Sequence, residues 1–212
     1  MKRITFIEQI RRQIYGAQPS DDADITIGLV NVWLEQGIAV AAKTNYADNI
    51  KLDGISYVNN SFYTTFKNLT VTEDEQFLYK MELPQIPIGI GSSEGVSMLT
   101  FKDTNSRQIS QSVIWLSQNQ RTYFDGMRPI PNKLLAYSEG KNVFVKSTLI
   151  LTPYTANATM ISGGLSSDLQ SEINVPSDYI PVIVEYLKKQ LVFQRQMPQD
   201  ATNDGADFIT TT

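Results

Sequence analysis

Apolar residues near the start of the chain recur at three- and four-residue steps, the spacing of one face of an α-helix. Ile4, Ile7 and Ile10 follow this spacing and predict a helix over about 3–15. A second helix is predicted over about 22–44, with apolar residues around more than half of its circumference. A helix with so wide an apolar surface lies in the centre of a bundle or in a subunit interface.

The middle of the chain, about 55–165, changes to the alternating pattern of short β-strands. In residues 77–83, aromatic and aliphatic side chains alternate with Lys80 and Glu82, which predicts one buried and one exposed face. Further strand-like runs occur at 62–66, 109–116, 134–137 and 143–146. Gly140 lies between the last two runs and predicts a hairpin turn.

A third long helix is predicted after Val175-Pro-Ser-Asp178, because Ile183, Leu187 and Leu191 share one face. Residues 199–212 are mostly small and polar and predict a flexible C-terminal arm.

These patterns predict an α+β fold in which helices come from both ends of the chain and strands from its middle. We expect residues 1–54 and 168–198 to form one helical bundle. Residues 55–167 are expected to form an inserted β-domain, either an antiparallel sandwich or a small barrel, and residues 199–212 the arm.

Composition narrows the possible chemistry. The 212 residues include no Cys and no His, which excludes disulfides, thiolate nucleophiles, imidazole bases and His-ligated metals. The net charge of −4 argues against general nucleic-acid binding, and no apolar run approaches the roughly 20 residues of a membrane span. Carboxylate, Lys, Tyr or Ser chemistry remains open, but we identify no catalytic, cofactor-binding or metal-binding residues in the sequence and expect no membrane partner.

Two local features imitate functional motifs. Gly91-Ser-Ser-Glu-Gly95 matches the nucleophile elbow of α/β-hydrolases, but that serine needs a histidine base. A turn-rich loop between two strands explains the segment better.

Aromatic residues are frequent in the middle region. The simpler interpretation is that they fill a hydrophobic core, and the alternative is that they form a sugar-binding platform.

Three segments together resemble a known family. They are Ala47-Asp-Asn-Ile-Lys-Leu-Asp-Gly-Ile-Ser-Tyr57, Leu83-Pro-Gln-Ile-Pro-Ile-Gly-Ile-Gly91 and Val175-Pro-Ser-Asp-Tyr-Ile-Pro-Val-Ile-Val-Glu-Tyr-Leu187. In this order the chain is similar to structural ring or adaptor proteins of the head-to-tail connector in short-tailed, crAss-like bacteriophages.

The resemblance implies a non-enzymatic virion protein that assembles in the bacterial host cytoplasm. It implies a homo-oligomeric, dodecameric ring that contacts the portal protein and other tail ring proteins. Genomic DNA would pass through the channel without specific binding. The alternatives from the residues are a β-sandwich carbohydrate-binding or adhesin module and a carboxylate-dependent glycoside hydrolase.

Four residues are candidates for a subunit interface. Trp33 and Ile38 belong to the wide apolar surface of the second predicted helix, and Phe208 and Ile209 are the apolar pair within the polar arm.

Overall fold

The computed structural model describes residues 1–15, 25–90, 95–102, 108–109, 111–121, 123–124 and 126–196. Helices within these residues are α1 (Arg3–Tyr15), α2 (Ile27–Asp53), α3 (Gln118–Arg121) and α4 (Ile180–Gln196). Strands are β1 (Tyr63–Glu75), β2 (Leu78–Glu82), β3 (Val96–Lys102), β4 (Ser112–Trp115), β5 (Lys133–Glu139), β6 (Asn142–Lys146) and β7 (Thr155–Ile161). The α+β class is thereby confirmed.

Helix α2 differs from its prediction at both ends. It begins at Ile27, where the Thr26 side chain accepts a hydrogen bond from the Leu29 amide at 3.2 Å. It continues to Asp53 and ends at Gly54, whose φ of 68° is typical of a helix C-cap. The predicted bounds of 22 and 44 are wrong because local capping sets the start and tertiary contacts extend the end.

One such contact is made by Asn45, a polar residue that is buried in the extended part of α2. Its side-chain oxygen accepts hydrogen bonds from the Asn59 amide at 2.9 Å and from the Asn49 side chain at 3.3 Å. These bonds join the end of the helix to the chain that leads into β1, and a periodicity of apolar residues cannot reveal them.

Residues of α1, α2 and α4 share one hydrophobic cluster, which we call the helical cluster. Helix α2 packs against α4, where a Cβ added to Gly37 would lie 3.1 Å from Ile183 Cγ2. The glycine therefore lets the two helices approach closely. Tyr186 at the same contact donates a hydrogen bond to Gln36 at 3.0 Å.

The strands form one seven-stranded sheet in the order β3-β7-β1-β2-β6-β5-β4, which curls into a nearly closed barrel. The prediction of a small barrel is consistent with this architecture. Five of the six neighbouring pairs are antiparallel, whereas β4 and β5 are parallel. The predicted antiparallel pairing is therefore confirmed for most of the sheet, and the parallel pairing of β4 with β5 departs from it.

Strand β1 bends in the middle and pairs with two different neighbours. Its first part pairs with β7 and its second part with β2, and the register shifts between Phe66 and Leu69. Asn68 in this bulge has a φ of 58°, and its amide donates a hydrogen bond to the Asn157 side chain at 3.1 Å. A bulge of this kind sharpens the bend that a curled sheet needs.

The inward-facing side chains of the strands form a second hydrophobic cluster, the barrel interior. Strand β7 lies between β1 and β3 and contributes Ala156, Ala158 and Met160, all fully buried. Small side chains at this position let the curled sheet close around a narrow interior.

Candidate functional site

The structure places the first pair of predicted interface residues inside the subunit. Trp33 is 8% exposed and Ile38 is fully buried, and both belong to the helical cluster. Their side chains therefore have partners within the chain, and their role in a subunit interface stays a prediction. Phe208 and Ile209, the second pair, lie outside the described residues.

Ile38 forms the contact between the helices and the barrel. A Cβ added to Gly163, just beyond β7, would approach Ile38 Cγ2 to within 2.4 Å. Gly163 also has a φ of 62°, which favours glycine. Its amide donates a hydrogen bond to the Phe62 carbonyl at 3.4 Å, so the same turn is attached to the chain entering β1.

Exposed apolar side chains gather at the end of α2 and in the residues that follow it. We call this surface the α2 tip and define it as Ile50, Leu52, Ile55 and Tyr57. Leu52 is 82% exposed and Ile55 is 62% exposed. A segment that exposes several apolar side chains within a few residues is a candidate interaction site.

The α2 tip is held in an ordered conformation. The Tyr57 hydroxyl donates a hydrogen bond to Asp53 at 3.1 Å, and the Asn49 side chain donates to the Tyr57 carbonyl at 3.0 Å. The bond to Asp53 is the main reason that the pKa of Tyr57 is raised. The tip thus presents its apolar residues on a braced turn, which reduces the entropy lost when a partner binds.

The wide apolar surface of α2 is only partly covered. Val32 is 52% exposed and Val40 is 37% exposed, and the two lie two helical turns apart. Most of the wide apolar surface of α2 therefore packs within the chain, whereas these two valines are left exposed.

An aromatic cluster occupies the outer face of β5 and β6. The rings of Tyr137 and Phe144 stack with centroids 5.0 Å apart, and Phe124 meets Tyr137 edge-on at 4.7 Å. The Arg121 guanidinium lies 4.7 Å from the Tyr137 ring centroid. Tyr137 thus uses its surface for contacts within the chain, and a sugar-binding platform would have to displace them.

A buried arginine lies next to the helical cluster. The Arg3 side chain is fully buried, with its Nη1 atom 2.9 Å from Asn31 Oδ1 and 3.6 Å from Glu35 Oε1. Its Nε and Nη2 atoms have no hydrogen-bond partner in the described part of the chain. Burial lowers the pKa of Arg3 and the Glu35 charge opposes this shift, yet a guanidinium remains charged at physiological pH.

The helical cluster also contains a small cavity of about 100 Å³. Its walls are apolar except for one serine and consist of Met1, Phe6, Leu34, Ile173, Val175, Ser177, Ile180 and Ile183. No acidic side chain lines this cavity, so it does not provide the paired carboxylates of a glycoside hydrolase.

The described residues contain no group of three or more acidic side chains placed to hold a metal ion. Ser92 and Ser93 of the elbow-like motif lie outside those residues, although the motif does fall between β2 and β3. In the same described part of the chain, no helix is long and apolar enough to cross a membrane.

No protein-family profile matches the chain, and no curated protein sequence matches it. The resemblance to phage connector proteins therefore rests on the three sequence segments described above and stays a prediction.

Proposed function

We propose that the chain is a non-enzymatic structural subunit that assembles into the ring of a connector between the portal and the tail of a short-tailed bacteriophage. The α2 tip carries the proposal, since Leu52 and Ile55 hold their apolar side chains in water on a braced turn. Fully burying a leucine or isoleucine side chain is favourable by about 1.5–3 kcal/mol, which gives a partner a clear place to bind.

The organisation of the molecule into a helical part and a barrel supports the same role. We propose that the helices from both ends of the chain act as one bundle that carries the α2 tip, while the barrel acts as a rigid spacer. The contact of Ile38 with Gly163 couples the two parts, so that a ring contact made by the helices also orients the barrel.

The charge of the chain fits a conduit for DNA. With 22 acidic and 18 basic residues, the subunit is repelled by the phosphates of nucleic acid on average. A channel lined by such subunits lets DNA move without neutralising its phosphates, which is the step that makes DNA binding tight.

The test is to measure the particle mass and to image the purified chain by electron microscopy, alone and with a portal ring from a crAss-like phage. We expect rings of twelve copies in at least one of these samples. A chain that stays monomeric at every concentration, with and without the portal, would contradict the proposal.

Matched variants then test the α2 tip itself. Leu52→Asp combined with Ile55→Asp should abolish assembly without loss of folding, because both residues are exposed in the subunit. Gln76→Asp is the control, since it adds a negative charge at an exposed turn between β1 and β2 and removes no apolar surface. Normal rings from the double variant would exclude the α2 tip as the interface.

A further inference from the structure

The barrel has an open seam between its two edge strands, β3 and β4. We propose that the segment Phe208–Thr212 of one copy adds a strand to the free edge of β4 in a neighbouring copy. This inference rests on the proposed function only in requiring that copies of the chain assemble.

Residues just beyond β3 still pair with β3, whereas β4 itself does not. Beyond β3, the Ile109 amide donates a hydrogen bond to the Phe101 carbonyl at 2.9 Å, and Gln108 forms a β-bridge with Lys102. Continuing this antiparallel register would place Ser112 opposite Met98. Among the described residues, however, β4 pairs with β5 alone, so these residues provide no partner for its other edge.

The side chains of β4 are incompletely covered on both faces. Val113 and Trp115 face the barrel interior and Ile114 faces the opposite side, and all three are only partly buried. Their partners on β5, from Leu134 to Ala136, are all buried. A strand added beside β4 would cover apolar surface on both faces at once.

A polar atom at the same edge lacks a partner. The side-chain oxygen of Gln111, directly before β4, is buried and accepts no hydrogen bond from the described residues. An unsatisfied buried acceptor destabilises a protein, because the acceptor has lost its hydrogen bond to water without gaining another. A backbone amide of an incoming strand would supply the missing donor, which points to an extended peptide as the ligand.

The chain itself contains a fitting segment. Phe208-Ile-Thr-Thr-Thr212 consists of an aromatic residue followed by β-branched residues, the types most favoured in strands. It alternates so that Phe208 and Thr210 share one face and Ile209 the other. Residues 197–207 supply a polar connection of 11 residues from the end of α4.

Geometry favours a neighbouring copy over the same chain. Tyr179, just before α4, packs on Phe62 beside β1, with ring centroids 6.0 Å apart. The 17 residues of α4 then extend about 25 Å along α2, which is the helix they contact. Eleven extended residues span at most about 40 Å, so a return over the length of α4 leaves about 15 Å for reaching β4 of the same barrel.

Cysteine cross-linking tests the pairing directly, because the natural chain contains no cysteine. Ser112→Cys and Thr210→Cys are made in separate chains, mixed and oxidised. We expect at least about tenfold more disulfide-linked dimer than from Glu82→Cys mixed with Thr210→Cys, since docking raises the local concentration of the thiols. Glu82 is a matched control because it is exposed on β2, which is flanked by strands on both sides.

Equal yields from the two mixtures would overturn the inference. So would a disulfide that forms only within one chain when both cysteines are placed in the same molecule. Particle mass measured on the same samples separates this failure from that of the proposed function. Rings without the cross-link reject the strand addition alone, whereas monomers throughout reject the ring and the strand addition together.

A backbone variant gives a second measurement. Ile209→Pro removes an amide that a strand would use, so it should reduce the cross-link between the Ser112→Cys and Thr210→Cys chains to the control yield. Ala206→Pro in the polar connection should leave the yield unchanged. An unchanged yield with Ile209→Pro would show that the segment does not bind as a strand.

Discussion

The helical cluster and the barrel interior are both hydrophobic, but they differ in the cavity and the buried polar groups that accompany them. The helical cluster borders a cavity of about 100 Å³ and a buried Arg3 with two unpartnered nitrogen atoms. In the barrel interior, small side chains such as Ala156 and Ala158 fit the narrow space, and the buried Ser138 lies on the same face of β5 as Leu134 and Ala136. The cavity leaves the side chains of the helical part room for adjustment.

The two parts also differ in how they are built from the chain. The barrel comes from one continuous stretch, 63–161, whereas the helical cluster joins residues as far apart as Ile7 and Leu191. Closing so long a loop lowers the entropy of the chain before any contact compensates for it. A rigid barrel between the helices reduces that loss, so the helical part depends on the barrel more than the reverse.

The largest expected effect concerns the contact between the two parts. Gly163→Ala should lower the free energy of unfolding by about 3 kcal/mol, because the new Cβ overlaps Ile38 and the positive φ adds strain. Gly140→Ala has a similar φ of 58° but no atom within 4 Å, so it should lower stability by only about 1 kcal/mol. Urea unfolding of both variants measures the difference, and equal losses would show that the contact is unimportant.

The next effect tests the polar group beside the helical cluster. Asn31→Ala removes the closest acceptor of Arg3 and should lower stability by about 2 kcal/mol, the value for a bond to a charged group. In an Arg3→Met background the same change should have less than half of that effect, because no buried charge remains. A double-mutant cycle by chemical denaturation gives the coupling, and additive losses would mean that Asn31 acts independently of Arg3.

The sequence predicted those elements whose signal is local. The hairpin of β5 and β6 turns at Gly140 as predicted, with a φ of 58°. Helix α4 follows the predicted periodicity, since Ile183, Leu187 and Leu191 are all buried. Strand β7, in contrast, was missed, since the run Thr155–Ile161 contains two alanines and an asparagine, which are poor strand formers in isolation. Its position between two other strands overrides that weak local preference.

The candidate site was less predictable than the fold. Apolar periodicity identified α2 as a helix with a wide apolar surface, but it could not tell which apolar residues the barrel covers. Ile38 is covered by the turn at Gly163, whereas Leu52, which lay beyond the predicted end of the helix, is exposed. That distinction depends on contacts between residues more than 100 positions apart, which a single sequence does not encode locally.

Adding one methylene group by a Val→Ile substitution should change the free energy of unfolding in opposite directions in the helical cluster and in the barrel interior. Val175→Ile extends a side chain that lines the cavity, so it should raise stability by up to about 0.8 kcal/mol. Val143→Ile adds the group at a fully buried position of the barrel interior and should lower stability by about 1 kcal/mol. Thermal and urea unfolding measure both changes, and losses of equal size would mean that the cavity is as intolerant as the barrel.

A further effect appears only in alkaline solution, since the chain has no histidine to titrate near neutral pH. Burial, aided by the charge of Glu73, raises the pKa of Tyr79 in the barrel above its ordinary value of 10.0. The folded state therefore keeps a proton that the unfolded state loses above about pH 10, and stability falls as pH rises through the folded-state pKa. The decline attributable to one such group is at most about 1.4 kcal/mol per pH unit.

Two tyrosine variants test this decline. Tyr79→Phe should make it shallower. Tyr57→Phe, on the exposed α2 tip, should leave it nearly unchanged because solvent weakens the contact of Tyr57 with Asp53. Urea unfolding at about pH 9 and about pH 11 measures the slopes, and an unchanged slope for Tyr79→Phe would show that the barrel interior does not keep this hydroxyl protonated.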